Sequence, residues 1–287
     1  MRERARSTLI ILPVAIVAVA LGGLGIGALV LLLTALAAGE VERLLAGTRR
    51  TVVAGGVTAG AILIVTFSAL PVMLASGVLG RPDSLVSAAA RFAAVGLLAV
   101  IGIVAVGIGL AAFAWREPSA GFDAWTSTLF GAVYVGLFGA VAELAGHSVG
   151  TGIWGERLWV VVLLAAVWSF DTGAYLVGRQ IGARAFFPWI SPRKTTEGVI
   201  GGLVVATAVT ALVLALAGFS PAEGLLLGPL LGIAAQAGDL AESMLKRAAG
   251  AKDSGTLIPG HGGVLDRIDS LIFAAPVLLA WVEVVHG

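Results

Sequence analysis

The 287-residue sequence contains no cysteine, which excludes disulfides, thiolate nucleophiles and Cys-ligated metals. Histidine is almost as scarce, with His147, His261 and His286 far apart, so no histidine cluster is available to a metal. Charge is the third deficit. Asp, Glu, Lys and Arg make up 12% of the chain, where soluble domains carry roughly 25%. With a mean hydropathy of +1.02, the chain is an integral membrane protein rather than a soluble globule. Every polar gap between apolar runs is short, which leaves no room for a soluble domain. At about 20 residues per crossing, the length allows at most nine or ten spans. The net charge of +1 carries no argument about partners by its sum, and no nucleic-acid partner is expected.

What is abundant is apolar sequence. The first run, 8–39, has no charge and is longer than one crossing needs. Arginines near the N-terminus and Ala35-Leu36-Ala37 resemble a signal peptide, but a removable apolar core has ~7–15 residues, so the run is read as membrane helices. The glycine cluster GGLGIG at 22–27 divides it into two short segments, a tight hairpin or re-entrant pair. Its likeness to a dinucleotide fingerprint carries nothing, because no strand precedes it. Further apolar segments lie at 52–79, 88–114, 124–145, 158–177, 199–218, 222–245 and 264–285. The expected fold is all-α and polytopic, with about nine transmembrane helices. Residues 1–150 would form N-terminal transmembrane helices, and 151–287 a catalytic transmembrane region with two polar islands. With the first run counted as two helices, the N-terminal arginines fall on the same side as Arg43, Arg49, Arg50, Arg116, Arg179, Arg184, Arg193, Lys194, Lys246, Arg247 and Lys252. Only Arg81, Arg91 and Arg157 face the other way, so the N-terminus, the basic loops and the polar islands are expected in the cytoplasm.

The larger island reads GDLAESMLKRAAGAKDSGTLIPGHGGVLDRIDS, from Gly238 to Ser270. Asp239, Glu242, Ser243 and Lys246 are spaced to share one helical face. A carboxylate within the bilayer costs roughly 2.5–3.5 kcal/mol, so Asp239 must meet a cation, a metal or water. Asp266 and Asp269 stand three residues apart at the start of the last helix. Ion pairing with Lys246, Arg247 and Arg267 would account for each acid singly. Together, oxygen donors without cysteine point to a hard divalent cation, most simply Mg²⁺. The loop 248–263 is too rich in glycine for a helix, offers backbone N–H groups to phosphate and leads into a helix N-terminus. His261 stands between glycines in that loop. The second island begins at Asp171 and ends in SPRKTTEG, which carries Ser191, Arg193, Lys194, Thr195, Thr196 and Glu197. It suits a triphosphate, with lipid headgroups as the plainer alternative for an Arg-Lys pair.

From Ser243 through Asp269, the blocks SMLKR, KD, PGHGG and DRID at fixed intervals resemble the signature of the phosphatidate cytidylyltransferases, also called CDP-diacylglycerol synthases; DTGAYLVGRQIG and SPRKTTEG resemble that family's other islands. The resemblance implies transfer of a cytidylyl group from CTP to phosphatidate, giving CDP-diacylglycerol and pyrophosphate for phospholipid biosynthesis at the cell (inner) membrane. It implies catalytic roles for Asp239, Lys246, Asp266 and Asp269, with Asp239, Asp266 and Asp269 around Mg²⁺ and a second cation such as K⁺. Substrate contacts would fall to Asp171, Ser191, Arg193, Lys194, Thr195, Glu197, Ser243, Arg247, Lys252, Asp253, His261 and Arg267. Two rivals stand beside it. A CTP-dependent lipid kinase would use His261 or Asp253 as a base, and a cation transporter would use Asp171, Asp239 and Asp266 as an ion path. Gly198 and Gly202 form a small-xxx-small pair that could serve packing within the chain or a homodimer.

Overall fold

The computed structural model describes residues 17, 18, 20–48, 50–77, 83–147, 155–258 and 262–286. Among these the chain is helical, with only isolated bridges in place of a sheet. The helices are α1 (Gly23–Gly47), α2 (Gly56–Gly77), α3 (Asp83–Ala112), α4 (Pro118–Gly136), α5 (Ala140–Leu144), α6 (Leu158–Ile181), α7 (Thr196–Leu216), α8 (Pro221–Ala248) and α9 (Leu265–Val285). A 3₁₀ turn, Leu137–Gly139, joins α4 to α5. Among the described residues, six helical stretches are long and apolar enough to cross a membrane, with Pro118–Leu144 counted as one. Two shorter apolar stretches, Gly56–Ser68 and Leu97–Ala112, belong to α2 and α3. The expected nine crossings are therefore not reached among the described residues, and most of the first expected helix lies outside them.

The chain does break within the glycine cluster, while most of the segment before it lies outside the described residues. The chain breaks at Gly22 alone, whose φ of 71° is open to glycine. Residues 23–27 already belong to α1, so one left-handed residue makes the turn and the remaining glycines are helical. Gly25 has a separate reason: a Cβ there would collide with the Ala18 carbonyl.

The first compact unit takes in residues up to His147 together with Leu245–Ile268. Its α1 buries a stripe of Ile26, Val30, Thr34, Ala37, Val41 and Leu44, the spacing that puts side chains on one helical face. Glu40 lies on that stripe and is fully buried. Around α2, α3 and α4 an apolar core forms from Ile64, Val100, Val104, Ile108 and Ala132. Asp123 of α4 fixes the α1–α2 connection by accepting from the Thr51 backbone N–H at 2.8 Å and pairing with Arg50 at 3.1 Å.

The second unit comprises Ser148–Met244 and Asp269–Gly287. Here α6 and α7 form a tight antiparallel pair. Gly198 and Gly202 face α6 so closely that a Cβ would meet the Ala174 and Phe170 carbonyls, so this small-residue pair is consumed within the chain and gives no support to a dimer. Ile200, Val204, Leu212 and Leu216 of α7 remain exposed, as lipid-facing residues should be. At the far end His286 packs its ring against Trp159 and Phe219 and meets Glu223 at 3.0 Å.

Candidate active site

In the second unit, the segment between α6 and α7 is folded back on itself by its own backbone. Phe186 N–H donates to the Lys194 carbonyl at 2.8 Å and Thr196 N–H to the Arg184 carbonyl at 2.9 Å. Glu197 fastens the turn: its Oε2 accepts from the Ala183 and Arg184 N–H groups at 3.0 and 3.1 Å, and Arg184 Nε reaches its Oε1 at 3.2 Å. Thr195 then caps α7, its hydroxyl accepting from Gly198 N–H at 3.2 Å. The result presents Ser191, Arg193, Lys194 and Thr195 to a cavity of about 620 Å³ that Asp171 and Arg179 of α6 and Asp239 of α8 also line. Lys194 Nζ pairs with Asp239 Oδ2, and Ser243 Oγ donates to Oδ1 at 3.3 Å. Three cations and two carboxylates on one cavity wall make a mixed-sign site, suited to a polyphosphate that arrives with a cation.

The first unit holds a second polar centre, built on the signature turn. Lys246 Nζ donates to Asp266 Oδ1 at 2.6 Å. Asp266 Oδ2 receives three more donors, Ser254 N–H at 3.0 Å, Ser254 Oγ at 2.8 Å and Gly263 N–H at 2.7 Å. The loop closes where Ile258 N–H donates to the Gly262 carbonyl at 2.9 Å, with Gly262 at a φ of 84°. Lys246 is 9% exposed, so pairing with Asp266 offsets the cost of burying its ammonium.

Glu40 was not among the sequence candidates, yet it is the most enclosed acid here. Its carboxylate accepts from Ser254 Oγ at 2.9 Å, Val264 N–H at 3.0 Å and Leu265 N–H at 2.9 Å. The signal in the sequence was its helical spacing behind Thr34 and Ala37 on an apolar stripe, masked because it falls where the apolar run ends.

The remaining candidates divide. Arg247, Lys252, Asp253 and Arg267 are exposed, and Arg247 Nη1 reaches the Ala251 carbonyl at 3.4 Å. Asp269 Oδ1 accepts from the N–H of Ser270 at 2.7 Å, in the first turns of α9. His261 lies outside the described residues. Among the described residues, no three of His, Cys, Asp and Glu gather closely enough to hold a metal by themselves.

The chain is similar to several known proteins. Over 120 residues the chain is 51% identical to a phosphatidate cytidylyltransferase of Brucella suis, an alignment covering 42% of this chain and 44% of the relative. It is 44% identical over 122 residues to a phosphatidate cytidylyltransferase of Staphylococcus saprophyticus, covering 42% of this chain and 47% of the relative. An uncharacterized protein of Escherichia coli, YnbB, is 46% identical over 135 residues, with 46% and 45% covered. The matched stretch thus spans less than half the length of these curated relatives. The pattern of the Cytidylyltransferase family runs through residues 2–285, across nearly the whole sequence, and this chain belongs to that family.

Proposed function

We propose that the chain is a phosphatidate cytidylyltransferase of the cell membrane, with its polar sites on the cytoplasmic side. The observation that carries this reading is the cavity that joins Asp171, Ser191, Arg193, Lys194 and Asp239, residues far apart in sequence. A phosphate oxygen of phosphatidate attacks the α-phosphorus of CTP, the bond from that phosphorus to the β-phosphate bridging oxygen breaks, and pyrophosphate leaves. A phosphate monoester has a second pKa near ~6, so the nucleophile is largely a dianion at neutral pH and needs no protein base. The chain's task is to cancel charge between two anions and align them.

Arg193 and Lys194 hold triphosphate oxygens in this scheme, and the Glu197-fastened turn keeps them in place. Asp239 keeps Lys194 oriented before CTP arrives. The oxygen donors Asp171 and Asp239 on one cavity fit a hard divalent cation, which is usually held by one or two carboxylates plus substrate phosphates. Mg²⁺ is the ion we assign, with K⁺ as a further cation; when bound, the divalent ion would supply charge neutralisation on the triphosphate. Asp266 would have to ligate a cation beside Lys246, whose ammonium already engages its Oδ1.

Purified protein in mixed micelles with phosphatidate and CTP labelled at either the α- or the γ-phosphate tests the reading. We expect α-label in the lipid and γ-label in pyrophosphate. γ-Label in the lipid with release of CDP would identify a lipid kinase instead, and no transfer of either label would return the transporter reading.

A further inference from the structure

We infer that Glu40, in the N-terminal half, is a positioning residue for the signature turn, acting through Ser254 and Asp266 on Lys246. The inference rests on the cytidylyl-transfer reading for its kinetic consequence, although the geometry behind it does not. Glu40 is fully buried on α1. A carboxylate there is costly unless each oxygen finds donors, and the donors it finds all come from the segment 254–265. Two of them are the backbone N–H groups of Val264 and Leu265, which open α9, so the carboxylate caps the helix that carries Asp266.

The link to Asp266 is direct. Ser254 Oγ lies 2.9 Å from Glu40 Oε2 and 2.8 Å from Asp266 Oδ2. A hydroxyl has one proton to donate, so it can serve only one of these carboxylates at a time. Its position is thereby shared between them. Asp266 in turn fixes Lys246 at 2.6 Å. Two glycines confirm how closely the turn wraps the carboxylate. A Cβ added at Gly255 or at Gly263 would run into Glu40 itself. Gly263 belongs to the PGHGG block, and the space a Cβ would need there is taken by Ser254 Oγ together with an acid more than two hundred residues upstream.

A Glu40→Gln substitution keeps the shape but turns one acceptor oxygen into an N–H donor, aimed at groups that are themselves donors. Hydrogen exchange and steady-state kinetics on the full-length protein in detergent distinguish positioning from bulk stability. We expect backbone exchange over 254–266 to accelerate by about tenfold or more while exchange in α6 and α7 stays unchanged. We expect kcat to fall by about tenfold or more with KM for CTP within about threefold, because the CTP-holding side chains Arg193 and Lys194 line the cavity of the second unit. Glu40→Asp, which keeps the charge on a shorter stem, should recover part of both losses. If Glu40→Gln fails to accumulate in the membrane, Gly255→Ala, which crowds the carboxylate without removing it, should give the same pattern. Unchanged exchange over 254–266, acceleration spread evenly over all helices, or failure of both variants to accumulate would overturn the inference. Absence of cytidylyl transfer by the unsubstituted protein would refute the reaction instead, leaving the exchange result to stand by itself.

Discussion

Lys194→Ala removes a cation that both lines the α6–α8 cavity and pairs with Asp239. A charge-assisted hydrogen bond to phosphate is worth about 1.5–3 kcal/mol. The ion pair that CTP must displace is partly wet, with the two side chains 24% and 28% exposed, so it holds Lys194 back by no more than about 1 kcal/mol. The upper bond estimate of about 3 less that 1 leaves about 2 kcal/mol, or roughly 30-fold in Kd. The Asp239 carboxylate complicates the loss, since Lys194→Ala leaves it facing an incoming polyanion with only the 3.3 Å bond from Ser243. With divalent cations chelated, adding Asp239→Asn to Lys194→Ala should therefore recover part of the lost CTP affinity, a non-additivity that independent sites do not show. Equilibrium binding of labelled CTP to protein in detergent, with phosphatidate KM measured alongside, reads both quantities. Weakened phosphatidate with intact CTP affinity would reassign the loop to the lipid headgroup, and no change in either would reduce Arg193 and Lys194 to a topology signal.

Other expectations follow from the same geometry. Asp239→Asn should cut turnover by a hundredfold or more, roughly the 2.7 kcal/mol or greater that lost charge stabilisation costs, with membrane content unchanged by immunoblot; activity within about threefold of the parent would remove Asp239 from the site. Asp266→Asn places an amide among donors that now converge on Oδ2, and should lower thermal stability by about 1–3 kcal/mol on unfolding in detergent; an unchanged melting temperature would show that the donors find other acceptors. Because the chain has no cysteine of its own, Lys252→Cys and Ser220→Cys can be labelled singly with an impermeant maleimide. Lys252→Cys should react only from the cytoplasm and Ser220→Cys, beyond the single crossing of α8, only from the opposite side; labelling of both from one side would contradict the orientation. Chelation of divalent ions should abolish transfer and Mg²⁺ should restore it, with activity in excess chelator refuting the cation's role.

Hydrophobicity alone located the helices from α2 onward to within about six residues at their ends, with the run 124–145 divided between α4 and α5, because bilayer-length apolar runs bounded by charge admit few other structures. The break at Gly22 was harder to place: four clustered glycines signal a turn somewhere, but which one takes positive φ depends on what packs beside it. Motif spacing identified Asp171, Lys194 and Asp239 as polar residues with work to do, and the fold supplied what spacing cannot, that they share a cavity. Glu197 was read as a phosphate contact, and it fastens the loop that presents the phosphate contacts. Glu40 was illegible for a different reason. Its partners are backbone N–H groups, which every residue has, so no pattern of side chains in the signature announces that an acid is required elsewhere.

The Glu40 cap also constrains how the chain is made. Its donors lie 214 to 225 residues downstream, so during synthesis α1 enters the bilayer with a carboxylate whose partners have not yet been translated. Until α8 and the start of α9 arrive, that group costs roughly 2.5–3.5 kcal/mol if held at the bilayer centre and less if it stays near the interface. The first helix is thus committed to the membrane in an incomplete state, and the last polar turn to be synthesised is what completes it. Folding of this unit is long-range by construction, and a nascent chain stalled before residue 254 would leave an unsatisfied acid for the cell's membrane quality control to find.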